Sequence, residues 1–334
     1  MMKRQNLREK IHILFALVVI YLVVLTPTSG WTSDFLSNDL TEGYSVLVTD
    51  LVNQMRANPL GFGGAIGLNV TEVEERFSRV GLSYLLDGLP ELTVDTELIG
   101  AAREHFYDMI ENLYFNHYDL QGRSPGERFA AHGFKSIVWG EAMAGLAFSN
   151  VIDPDTALQV MFEELARSGF SLDGEGASLL DPYVTKIGAF FSGGKMWIAG
   201  DYYNVYILII ELGRPVDGEA SSIGGRVFLD KNEDGYYQVG EAIPGCSIEF
   251  DGPIWKGFSP YAPEETVSLR SSPAGNFYVD LPMGEYEYVV DCGEIGVQSG
   301  LIEVGGSEEL DIKFNVDRLN SPDWVDGEAN SDLP

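Results

Sequence analysis

Residues 89–134 read LPELTVDTELIGAAREHFYDMIENLYFNHYDLQGRSPGERFAAHGF, and WGEAM follows at 139–143. Within this stretch Asp95 stands where a helix N-cap belongs, its short carboxylate ready to accept the first free amides. Leu98, Ala102, His105, Met109 and Leu113 then recur at steps of three or four, which predicts a helix over about 96–114. His105 falls on that apolar face and reads as a core histidine with a satisfied ring, and His132 reads as a loop residue. Upstream, Val48, Leu51, Val52 and Met55 form another helical stripe, stopped by Asn58-Pro59. Downstream, about 154–167 reads as a third helix. KIGAFF, a tight SGG turn and KMWIAGDYY then read as a hairpin. VYILIIEL is a continuous apolar run that suits a strand buried on both faces. The stretch from Tyr44 to Gly213 is therefore a mixed α and β unit.

Composition narrows the partners. The 334 residues hold 51 Asp and Glu against 21 Lys and Arg, a formal net charge of −30. A surface so acidic repels phosphate backbones and excludes sequence-independent nucleic-acid binding. Two cysteines cannot form a disulfide-dense scaffold, and no Cys and His spacing suits structural zinc. At the N-terminus Lys3, Arg4, Arg8 and Lys10 precede the apolar run 11–25, and TPTSG follows. Residues 1–30 read as a signal peptide, or as an uncleaved N-terminal anchor, with His12 inside it. The expected localisation is secreted, cell-surface or periplasmic, with membrane contact only through such an anchor.

Composition shifts after Gly213. Residues 214–222 read as a polar, Gly-rich linker. Residues 223–316 carry only short alternating strands and turns, such as GRVFLD, CSIEF and EYEYVV, the pattern of a β-sandwich or barrel. Residues 317–334 read as an acidic, disordered tail. DKNEDGYYQVGE at 230–241 fits D-x-[DN]-x-[DN]-G-x5-E, the calcium-loop pattern. Asp230, Asn232 and Asp234 offer side-chain oxygens, Gly235 the sharp turn, and Tyr236 a carbonyl. Gln238 sits where a water often bridges, and Glu241 can be bidentate. Cys246 shares a strand face with Ile248 and Phe250, and Cys292 shares one with Val290 and Tyr288. A bridge between the two sheets and a pair of buried thiols are both open.

LVNQMRANP, YFNH, WGEAM and LLDPYVTKIGAFF resemble the bacterial, SCP-like branch of the CAP superfamily of cysteine-rich secretory, antigen 5 and pathogenesis-related proteins. The resemblance covers about 44–203 of the unit at 31–213. It implies an α-β-α sandwich whose cleft holds two His and two Glu able to bind a divalent metal. By resemblance the cleft candidates are His117, Glu141 and Glu164. The second histidine should lie thirteen residues before Gly188, where this chain has Glu175. A divalent-metal site in the cleft is therefore doubtful: one imidazole among carboxylates favours hard cations or none. The second unit resembles calcium-binding B-type repeats of bacterial surface adhesins, through Gly275, Phe277, Leu281, Pro282, Gly284 and Tyr286. That resemblance implies an Ig-like β-sandwich. The fold class is thus α+β, a CAP-type α-β-α sandwich followed by an Ig-like β-sandwich. The expected function is extracellular binding or cell-surface interaction through the cleft, with an unknown extracellular or cell-envelope ligand and calcium in the second unit. The alternatives are a metal-assisted hydrolase using His117, Glu141 and Glu164, and a structural or adhesive surface protein. No GxSxG elbow and no cysteine nucleophile supports an enzyme.

Overall fold

The structure, a computed structural model, describes residues 38–150, 152–172, 174–198, 201–216, 221–253 and 265–316. The expected signal segment, the acidic tail and the middle of the expected linker lie outside the described residues. Among the described residues no helix is long and apolar enough to cross a membrane.

Local signals account for the helices. Helix α1, Asn38–Ala57, buries Val48, Val52 and Met55. It ends at Asn58, whose side chain accepts from the Gly61 amide and starts α2, Pro59–Ala65. Helix α3, Val70–Arg79, buries Val73 and Phe77. Helix α4 runs Thr96–Asn112, with Asp95 accepting from the amides of Glu97 and Leu98. Helix α5, Pro125–Ala131, opens with a capping box between Ser124 and Glu127. Helix α6, Pro154–Ser171, starts at Asp153, which accepts from the Thr156 amide.

The strands make three layers possible. Strands β1 (Thr93–Val94), β2 (Ser136–Phe148), β3 (Lys186–Ile198) and β4 (Asp201–Pro215) form one sheet in the order β1-β3-β4-β2. Only the β1–β3 pair is parallel. In β4 the side chains alternate between the two faces. Ile207 and Ile209 pack with Phe106 and Met109 of α4. Leu208 and Ile210 pack with α1 and α6. Both faces are covered, so the apolar run is continuous. Where α4 crosses β3, a Cβ on Gly188 would lie 2.3 Å from the Ile99 nitrogen, so only glycine fits.

The SGG stretch is not a turn. It lies inside β3, where Gly193 and Gly194 pair with Tyr206 and Val205. A Cβ on Gly193 would lie 2.8 Å from the Tyr206 ring, so this glycine serves close approach rather than chain reversal.

Among the described residues the C-terminal part is built of strands, with one short 3-10 helix at Gly293–Ile295. Strands β6 (Ser247–Gly252), β7 (Glu265–Arg270), β9 (Gly284–Asp291) and β10 (Val297–Val304) form an antiparallel sheet in the order β10-β9-β6-β7. Strand β5 (Ser222–Asp230) pairs with β8 (Asn276–Asp280), β11 (Ser307–Glu309) and β12 (Ile312–Asn315). One core joins the two sheets through Val227, Phe250, Phe277 and Val290. Cys246 and Cys292 form a disulfide with their Cα atoms 4.4 Å apart. They follow the Ser247–Asp291 pair of β6 and β9, so the bridge joins neighbouring strands of one sheet. The spacing is that of a non-hydrogen-bonded antiparallel pair. A bridge between sheets, one of the two expected options, is thus replaced by one along a sheet.

The two parts do not hang on a free linker. Arg214 is still in β4, with its guanidinium 4.0 Å from the Tyr278 ring, and Ser222 is already in β5. Asp181 is fully buried and accepts from Ser272 Oγ at 2.9 Å and Asn276 Nδ2 at 2.7 Å. Asn276 Nδ2 also donates to the Trp139 carbonyl at 3.0 Å, and the Tyr183 hydroxyl donates to the Arg270 carbonyl at 2.6 Å. At Gly245, with φ 77°, a Cβ would lie 2.1 Å from the Val80 carbonyl oxygen.

Candidate functional site

The site lies on the α4 and α5 side of the first sheet. Strand alternation puts Glu141 of β2 and Glu211 of β4 on the same face as Ile207 and Ile209, and the two glutamates are direct register partners. His117 comes from the coil after α4. Arg128 comes from α5, whose capping box sets its start beside that coil. Glu175 comes from the segment after α6.

These groups form one chain of charge. His117 Nδ1 donates to Glu141 Oε1 at 2.6 Å. His117 Nε2 stands 2.9 Å from Glu175 Oε2, an ion-pair distance without hydrogen-bond alignment. Arg128 donates to the other Glu141 oxygen and to the His117 carbonyl, and its Nη2 lies 3.5 Å from Glu211 Oε1. The Glu141 side chain is 1% exposed and the His117 side chain 16%, so water screens little of this.

Burial would lower the His117 pKa, but the Glu175 charge and the bond to Glu141 outweigh it and push the ring up to about 10. Burial would raise Glu141, yet Arg128 and His117 hold it well below the usual carboxylate range. Glu211 is raised well above that range, by burial and then by the Glu141 charge. The cluster therefore favours the imidazolium, the guanidinium and the Glu141 carboxylate, while Glu211 holds its proton more tightly than an exposed glutamic acid. His105 lies behind it, buried, with Nε2 2.9 Å from the Asn116 carbonyl and its pKa lowered by burial. His132 sits 2.7 Å from Glu104 at the surface.

Of the four cleft candidates, His117, Glu141 and Glu175 come together. Glu164 does not: it lies exposed on α6, opposite the face that buries Met161, Phe162 and Leu165. Three functional residues were not singled out from the sequence: Arg128, Glu211 and Arg226. The remaining cavity is about 30 Å³ and is lined by His117, Glu141 and Ser178 on one side and Arg226, Tyr237 and Gln238 on the other. Such a volume holds about one water.

The residues present do not make a divalent-metal site in the cleft. Both Glu141 oxygens are taken by Arg128 and His117, which leaves one ring nitrogen and Glu175. Zinc needs three or four donors, and these two groups fall short. Among the described residues no three His, Cys, Asp or Glu are arranged to hold a metal ion.

The 230–241 loop has another chemistry. Asp230 is buried and accepts from the amides of Asp234 at 3.1 Å and Gly235 at 2.9 Å. Asp234 Oδ2 accepts from Asn232 and from Gln238, both at 2.8 Å. Glu241 accepts from the amides of Lys231 and Gln238, both at 2.8 Å. Tyr236 is exposed. Gly235 has φ 85°, as the sharp turn requires. Lys313 Nζ lies 3.4 Å from Asp230 Oδ2, a positive charge standing against the first loop carboxylate. The all-oxygen donors suit a hard cation in kind, though as they lie they bond the loop's own amides and side chains.

Residues 49–207 match the model of the cysteine-rich secretory protein family, CAP. An outer surface protein of Borrelia burgdorferi is similar at 14% identity over 55% of this chain and 100% of that one, with a TM-score of 0.30. An extracellular SCP-domain protein of Bacillus anthracis is similar at 20% identity over 54% of this chain and 45% of that one, with a TM-score of 0.27. A cysteine-rich secretory protein of Staphylococcus aureus is similar at 18% identity over 44% and 40%, with a TM-score of 0.20. No curated protein matches this chain. The family match thus spans residues 49–207, a little under half of the chain.

Proposed function

We propose that this CAP-domain protein is exported and acts by extracellular binding or cell-surface interaction through its cleft, without catalysis. The second unit is an Ig-like accessory module steadied by calcium in the 230–241 loop. The observation that carries the reading is the setting of His117: its ring nitrogens stand 2.6 Å from Glu141 and 2.9 Å from Glu175, two carboxylates that favour the charged ring. A charged imidazole is neither a general base nor a metal ligand. Ser178 Oγ donates to the Glu141 carbonyl at 3.3 Å. The calcium reading is supported by the spacing of Asp230, Asn232, Asp234 and Glu241 and by the turn at Gly235.

Nitrogen NMR of the ring tests the central point. At pH 7.5 both His117 nitrogens should carry protons, and calorimetry should detect no tight zinc binding by the whole protein. A neutral ring, or zinc bound tightly, would overturn the non-catalytic reading and restore the hydrolase.

A further inference from the structure

The cleft of the first unit already contains a piece of polypeptide. The Tyr118 hydroxyl donates to the main-chain carbonyl of Tyr237 at 2.8 Å. The Tyr237 ring meets Trp139 edge to face, with centroids 6.3 Å apart. Arg226 sits against both rings in the corner they make, its guanidinium 4.0 Å from the Trp139 ring centre and 3.9 Å from that of Tyr237. Gln238 and Val239 complete the cover over His117 and Glu175.

We propose that this cleft is a peptide-binding site. Its occupant here is the chain's own Tyr237–Val239 segment, and its external partner is an extended peptide bearing an aromatic side chain. The inference rests on the binding reading above and names the ligand class of that same cleft.

The contacts divide into a fixed receptor and a removable occupant. Arg226 belongs to β5 and is held by Asn276 Oδ1 at 2.8 Å and by the Trp139 carbonyl. It stays in place if the loop leaves. Its guanidinium, 4.0 Å from the Trp139 ring centre, then awaits a second ring where Tyr237 now lies, a cation–π contact. Tyr118 would present its hydroxyl to the carbonyl of the residue that carries that ring. The Trp139 wall is close-packed: a Cβ on Gly126 would lie 2.8 Å from its indole.

Its own unit holds the occupant by the Tyr237 ring, which meets Phe228 of β5 edge to face at 5.9 Å and Arg226 at 3.9 Å, and by few main-chain bonds. Residues 237–239 lie outside every strand, between Gly235 and Gly240, both at positive φ. Their main-chain ties within the loop are the Gln238 amide to Glu241 Oε2 at 2.8 Å and the Glu241 amide to the Gln238 carbonyl at 3.0 Å. Neither belongs to the β5 ladder, so the segment can leave without unpairing the sheet. While it stays, the residual cavity of about 30 Å³ admits nothing larger than water. An incoming peptide must displace it.

The probe is a fluorescent octapeptide with the sequence of residues 233–240, EDGYYQVG, titrated by polarisation into the full chain. Tyr237→Ala removes the internal ring and leaves Tyr118, Trp139 and Arg226 intact. It should bind the probe at least tenfold more tightly than the unaltered protein. The same peptide with alanine for its second tyrosine should lose that gain, and Tyr118→Phe added to Tyr237→Ala should weaken binding several-fold. Equal affinity for Tyr237→Ala and the unaltered chain overturns the proposal, as does equal binding of the alanine peptide. A second measurement needs no variant: saturating probe should speed hydrogen exchange at the amides of residues 236–239 of the unaltered protein. Exchange unchanged at saturation overturns the proposal. Either failure leaves the ionisation of His117, and with it the non-catalytic reading, untouched.

Discussion

Raising the pH from 7 to 9 should weaken this protein through His117. The ring is raised from 6.5 to about 10 in the fold. The stability it contributes is therefore complete below about 6.5 and is lost as pH rises through about 10. Across the window each pH unit costs about 1.4 kcal/mol for one proton, so about 2 to 3 kcal/mol disappears between pH 7 and 9. The ring is mostly buried, so screening reduces this little. Glu141 works at the other end: its stabilisation is present above its unfolded value of 4.5 and is lost as pH falls through its lower folded value. Urea unfolding at pH 7, 8 and 9 reads the effect when the unaltered protein is compared with His117→Gln, which keeps an amide donor but cannot titrate. The stability gap between the two should narrow by about 2 to 3 kcal/mol over the series. A gap that stays constant would show a neutral His117 and refute the argument.

Glu211 is raised by burial and by Glu141, so its stabilisation is present below about 4.5 and lost above it. Glu211→Gln should raise the melting temperature by a few degrees at pH 8 and by less at pH 4, read by calorimetry. Millimolar calcium should raise the melting temperature of the whole protein, with a Kd of roughly 10⁻⁴ to 10⁻³ M. Glu241→Gln should remove most of that shift; an unmoved melting curve in calcium would end the assignment. Replacing Cys246 and Cys292 together by Ser opens a loop closed over a sequence separation of 46 and should cost about 2 to 5 kcal/mol. A urea midpoint equal to that of the unaltered chain would show that the bridge contributes nothing.

What could be read from the sequence was local. Asp95 and Asn58 are caps because a short side chain meets free amides within three residues, and the stripes at Val48–Met55 and Leu98–Met109 recur within a few turns. His117 and Glu141 were found through short motifs, and Glu175 through a count to Gly188. Glu164 failed because that resemblance says nothing about which face of a helix is buried. One step along α6 separates the exposed Glu164 from the buried Leu165. Glu211 was hidden in an apolar run. The only signal for it was parity with Ile207 and Ile209, and its meaning depends on the β2–β4 register that sets it beside Glu141. SGG misled because glycine serves turns and close packing alike, and only the Tyr206 ring across the strand distinguishes the two.

The relation between the two units was the least legible feature, and it changes how the cleft must be understood. A polar, glycine-containing segment between two dissimilar patterns suggests beads on a string. Yet Asp181, fully buried in the first unit, takes the bonds to its Oδ2 from Ser272 and Asn276 of the second, while its Oδ1 accepts from the Tyr183 amide of its own unit. A buried carboxylate stripped of those partners is costly. The Trp139 carbonyl likewise accepts from Arg226 and Asn276. Each unit therefore leaves polar groups that the other satisfies, and cutting between them would alter the walls of the cleft as well as uncover it. Arg226 is as much a cleft residue as His117, although it belongs to a strand of the β unit. The cleft is thus a property of the joined chain, assembled where β2 meets β5 and the 230–241 loop.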